Sequence, residues 1–143
     1  MENEFIPYKQ ALALKELGFE ESCFGYYDGN HNLQFMYNGI PENFTNKRMG
    51  PADSVWVGWI SAPLYQQAFR WFSKKHDMDS FIERDRWNDY RWYQILIQKD
   101  PGLSKKWIPD VDNDDEICYK TQGGAELECL KKLIELLIER NDS

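Results

Sequence analysis

The sequence is short of the groups that most often announce a function. It has only two histidines, His31 and His76, and three cysteines, Cys23, Cys118 and Cys129, among 143 residues. No cysteine lies near a histidine, and no Cys-x-x-Cys or His-Glu-x-x-His spacing occurs. Zinc sites of the usual kind need such spacing, so no metal is expected. An odd number of widely separated cysteines does not make a disulfide framework. Cys23 and Cys129 read instead as small buried hydrophobes. Basic charge is also in deficit, with 17 Lys and Arg against 24 Asp and Glu and a formal net charge of −7. A general nucleic-acid binder draws its affinity from neutralised phosphates and shows a basic footprint, so that class is argued against. A local basic pocket is not. No stretch approaches the ~18 apolar residues that a membrane span needs. The start, Met1 to Pro7, has neither a basic segment nor a long apolar one, so it does not read as a secretory signal. The expectation is a cytoplasmic protein with reduced thiols. There is no Gly-x-Ser-x-Gly elbow and no Gly-x-x-x-x-Gly-Lys phosphate loop. No catalytic residue and no cofactor is therefore expected, and the reading leans away from an enzyme. A carboxylate pair stays open as an alternative, because linear order does not pair such groups.

Aromatic residues, by contrast, are plentiful: eight Phe, eight Tyr and six Trp make 15% of the chain. Disordered chains are poor in them, so the chain is expected to fold. Its length fits one domain, residues 1–143, able to bury about 68–70% of the surface of the unfolded chain. The aromatics must fill a core or line a surface that binds something.

The pattern along the chain predicts a helix over about Pro7–Leu17, with Gly18 as its left-handed terminator and Phe19 as the following apolar contact. Ser22–Tyr27 and Leu33–Tyr37 are rich in strand formers and flank Asp28-Gly-Asn-His-Asn32, so they read as a hairpin. About 38–54 reads as a long irregular loop, and Val55–Ile60 as a third strand. A second helix is expected from about Ala62 to His76, with Ser61 as N-cap and Pro63 in its first turn. An extended piece beginning at Phe81-Ile82, a strand at Tyr90–Gln98, a polar connection over Trp107–Asp115 and a short strand at Ile117–Lys120 follow. The closing helix, about Gly124–Arg140, carries Leu127, Leu130, Ile134 and Leu137 as its apolar stripe, widened by Leu133 and Ile138. The expected fold class is α+β: a mostly antiparallel sheet of about four to six strands, order α-β-β-β-α-β-β-α, with three helices mainly on one face.

Three features invite a ligand, and the segment Glu83–Tyr93 is the most suggestive. The acidic run from Asp110 to Glu116 imitates a calcium loop at its first positions. It then has Asp115 where glycine is needed and Thr121 where a bidentate glutamate is needed. A solvated turn accounts for it better. Gly123-Gly124 could expose amides to an anion, although a flexible helix entry is the simpler account. The segment Glu83–Tyr93 is the more suggestive one. Arg84, Arg86 and Arg91 alternate there with Trp87, Tyr90, Trp92 and Tyr93, and Arg70 on the second helix could join them. Guanidinium forks clamp phosphates and aromatic faces stack on bases, so these residue types together suit an anionic, nucleotide-like ligand. Against this stand Glu83, Asp85 and Asp89, which cancel the three arginines, and the alternation of a strand, which sends half of the aromatics to the core. Aromatic and arginine patches also mark protein interfaces.

Three blocks of the sequence also carry a family resemblance. Phe5–Phe19 followed by Cys23–Tyr27, then Ala62–Phe72, then Ala125–Glu135, together 42 of the 143 residues, resemble short hypothetical proteins of Bacteroidales phages and mobile elements. The matching blocks lie mostly on packing helices, so the resemblance carries over no catalytic residue. The segment 38–54 is longer than the pattern has, and Gln122-Gly-Gly124 stands where acidic helix-starting residues are usual. The resemblance implies a phage accessory protein, in the host cytoplasm, acting by binding. Two readings follow: counter-defence by sequestering a small anionic ligand, or an interaction module or homo-oligomer that blocks a host protein.

Overall fold

A computed structural model describes residues 4–35, 59–84, 91–97, 105–107 and 121–142. The chain divides into two compact units, Met1–Tyr65 and Gln66–Ser143.

In the first unit, α1 spans Tyr8–Glu16. Pro7 precedes it in an extended conformation, and its carbonyl accepts the first helical bond from Ala11 N at 2.9 Å. The other end is a complete Schellman closure. Gly18 has φ +99°, Gly18 N donates to Lys15 O and Phe19 N to Leu14 O. Leu14 and Phe19, the apolar pair such a closure brings together, are both buried. Three short strands follow, β1 (Gly25–Tyr27), β2 (Leu33–Phe35) and β3 (Ile60–Ala62). They form an antiparallel sheet in the order β2-β1-β3, with Tyr27 opposite both Leu33 and Ile60. The expected hairpin and its five-residue turn are therefore present.

The third strand and the start of the second helix differ from expectation. Ser61 and Ala62 belong to β3, not to a helix start, and both are buried. Pro63 likewise lies before the helix, where its carbonyl accepts from Ile6 N at 3.0 Å, and Phe5 forms an antiparallel bridge with Leu64. Pairing with β1 and with the N-terminal segment overrides the local Ser-Ala-Pro signal. Tyr27 Oη also donates to Ile6 O at 2.6 Å, which locks the same segment onto the sheet.

The helix α2, Tyr65–His76, leads into the second unit, which continues with β4 (Met78–Arg84), β5 (Arg91–Ile97), β6 (Lys105–Trp107) and α3 (Gln122–Asp142). Along α2, Ala68, Trp71 and Phe72 are buried, while Gln66, Arg70, Lys74 and Lys75 are exposed. Asp77, with φ 54°, turns the chain directly into β4, and Ser73 Oγ donates to Asp79 Oδ1 across that turn. The sheet order is β4-β5-β6, all antiparallel. Met78, Tyr93 and Ile95 are buried, and α3 packs against β4 and β5. The buried stripe of α3 is Ala125, Cys129, Leu130, Leu133, Ile134 and Leu137. Leu127 is only partly covered and Ile138 is 44% exposed, so the stripe is rotated from the one read off the leucines. Thr121 starts the helix earlier than expected: its Oγ1 accepts from Gly124 N at 3.0 Å.

The fold is thus α+β with antiparallel strands and three helices, as expected. Its six described strands are shared between two sheets. β6 begins before the expected polar connection and takes in Trp107. The loop at about 38–54, most of the strand at 55–60, the acidic run at 110–116 and the strand at 117–120 lie outside the described residues.

Candidate functional site

The arginine-rich segment maps onto one end of the β4–β5 pair. The register places Arg84 opposite Arg91, Glu83 opposite Trp92 and Ile82 opposite Tyr93. Arg84, Arg91 and Trp92 therefore share one end of one hairpin. Arg86, Trp87 and Tyr90 belong to the intervening 85–90, outside the described residues. Arg70 stands exposed on α2, a different element. Tyr93 is 5% exposed and is core, as strand alternation requires for part of this aromatic series.

A second concentration of aromatic contacts, not singled out from the sequence, lies in the first unit. The His31 ring stacks on Tyr8 with centroids 3.8 Å apart and planes 16° off parallel, and Tyr8 meets Tyr27 edge-on at 5.6 Å. His31 is held there by its turn, where it adopts φ 65°. Asp28 organises that turn. Its Oδ1 accepts from Asn30 N and Asn32 N, and its Oδ2 from Gln34 Nε2. The Asn32 amide leads the groups that hold the Asp28 carboxyl below the ordinary range, and the nearby His31 adds to them. Burial pushes the Tyr27 phenol up. On strand β1, Tyr26 stacks on Trp59 at 4.0 Å. The only sequence signal for the His31 contact was the dense turn around it.

Other perturbed groups in the second unit sit at packing positions. Burial pushes the Cys129 thiol up to about 12, against the opposing hydrogen bond with Ser80. That is the reverse of what a nucleophilic cysteine needs. Burial, then Arg140, holds the His76 imidazole below its ordinary value. Among the described residues no three His, Cys, Asp or Glu side chains cluster as a metal site would need. No described helix is long and apolar enough to cross a membrane. Comparison of the chain with protein-family models, with curated proteins and with solved structures found no match.

Proposed function

We propose that the chain is a non-enzymatic binding protein of the phage accessory type. In this reading it sequesters a small anionic, nucleotide-like ligand at the Arg84–Arg91 end of the β4–β5 pair. The observation that carries the reading is the register itself, with two arginines as direct cross-strand partners. Like charges at such positions repel, and a shared anion relieves the repulsion. Planar guanidinium forks match phosphate oxygens two at a time. Arg86, Trp87 and Tyr90 in the connecting sequence are of the residue types that stack on a base. The competing account is neutralisation of the arginines by Glu83, Asp85 and Asp89.

Thermal shift against a panel of mono-, di-, tri- and cyclic nucleotides separates the two. A ligand present at about 100 times its Kd stabilises by about 2.7 kcal/mol, a clear rise in melting temperature. The rise should vanish in Arg84→Ala and Arg91→Ala. A panel in which no nucleotide moves the melting temperature would sink the proposal.

A second reading, an interaction module or homo-oligomer, is supported by Phe24 and Phe81, which are 42% and 48% exposed on their respective units. Light scattering on wild type and on Phe81→Ser tests it. A wild type that stays monomeric at high concentration and recovers no partner in a pull-down would remove it.

A further inference from the structure

The end of α2 carries an arrangement that packing alone does not explain. His76 is the last residue of the helix, and its carbonyl is one of those that a helix leaves without an internal partner. Arg140, from the last turn of α3, donates to that carbonyl through Nη2 at 2.9 Å. A guanidinium there satisfies the oxygen and also meets the negative end of the helix dipole. The His76 ring lies beside this contact. It meets Trp71 edge-on at 4.6 Å, and Phe72 lies at 6.2 Å. Trp71 and Phe72 are both buried, so one side of the imidazole faces apolar rings while the same residue's backbone holds a cation.

We propose that this junction is a proton-operated latch between α2 and α3. With His76 neutral, Arg140 caps α2 and the last turns of α3 are held down. When the imidazole takes a proton from solvent, a second cation stands beside Arg140 and the cap is released. The charges that act on the ring are Arg140 from α3, which opposes protonation, and Asp77 from the turn, which favours it. Burial and Arg140 together outweigh Asp77, so the folded imidazole titrates below its ordinary 6.5. The sign follows directly. The contribution is fully present above 6.5 and is lost as pH falls through the lower folded value.

Amide hydrogen exchange on the full chain, corrected for intrinsic rates, reads the latch at Leu137–Arg140. Protection there should fall as pH is lowered from about 7.5 through the His76 titration, in step with the His76 ring signal. His76→Phe keeps the backbone carbonyl and should make that protection independent of pH. His76→Gln, a polar substitute, should do the same and guards against a packing defect in the phenylalanine variant. Arg140→Gln should leave protection low at both pH values. The proposal is overturned if protection at these amides does not change with pH in the wild type, or if it changes as much in the two His76 variants as in the wild type.

Discussion

Replacing Gly25 with alanine probes a close packing contact in the first unit. Gly25 lies in the central strand β1, between Phe35 and Ala62, with the Phe5 ring over it. A Cβ built there stands 2.8 Å from Phe5 Cε1, 3.3 Å from Phe5 Cδ1 and 3.1 Å from the backbone oxygen of Gln34. The first distance is too short for carbon atoms, and the oxygen belongs to the sheet, so the ring must give way. Phe5 is only 4% exposed and its backbone is bridged to Leu64, so it has little room to move. Overpacking of this kind costs about 1–3 kcal/mol. Gly25 is not in the left-handed region, so alanine meets no backbone strain and gains about 0.4–1 kcal/mol from a less flexible unfolded chain. The net expectation is a loss of about 1–2 kcal/mol, which lowers a urea midpoint by roughly 0.5–1 M. Gly29→Ala is the control, because nothing lies within 4 Å of its built Cβ. Phe5→Leu removes the clashing ring edge, so in the Gly25→Ala background it should cost less than it does alone, with a coupling of about 0.5 kcal/mol or more. A Gly25→Ala protein as stable as wild type, or strictly additive costs with Phe5→Leu, would refute the packing argument.

Three further outcomes are expected. Tyr27→Phe leaves the buried Ile6 carbonyl without its phenol donor and should cost about 1–2 kcal/mol in equilibrium denaturation. Cys23 and Cys129 are buried; native protein should resist alkylation at both, with mass-spectrometric labelling appearing only as denaturant unfolds the chain. At about pH 8 a Cys129 thiol near 12 is roughly one part in ten thousand thiolate, so rapid native labelling at that residue would contradict its burial. Asp28 is held below the ordinary carboxylate range, so its support of the turn is present above that range and fades as pH falls through the folded value. Asp28→Asn keeps a side-chain oxygen for the amides of Asn30 and Asn32, and it should flatten the acid-side change in the chemical shifts of that turn without unfolding the hairpin.

The parts of the fold that could be read from the sequence are those whose signals are local. Gly18 after a short apolar stripe announced the end of α1, and Asp28-Gly-Asn-His-Asn32 announced the hairpin, because each works through the backbone of its own few residues. The misreadings arise where a distant partner decides. Ser61-Ala-Pro63 resembles a helix start, yet β1 and Phe5–Ile6 recruit it into the sheet. Lys105-Lys-Trp107 has no strand-like alternation of apolar residues, and it becomes β6 by pairing with β5. In α3 the leucines suggested a stripe that included Leu127. The smaller Ala125 and Cys129 are what the sheet accepts, since close approach of a helix favours small residues. The arginine-rich segment was visible as composition. That Arg84 faces Arg91 was not, because register depends on how the strands align across their connection.

The bridge between Phe5 and Leu64 also orders events in time. The helix α1 and the β1–β2 hairpin rely on near neighbours in the chain and can form as they leave the ribosome. Phe5 and Ile6 cannot. Their sheet partners, Pro63 and Leu64, are among the last residues of the first unit to be synthesised, and until they emerge Ile6 has no acceptor for its amide. Contacts between such distant residues carry the slow, entropically costly part of folding. A ribosome-bound chain with Pro63 still inside the exit tunnel would therefore keep its leading segment undocked, open to proteolysis at Phe5. Once Pro63 and Leu64 have emerged, that segment has its sheet partners and can close.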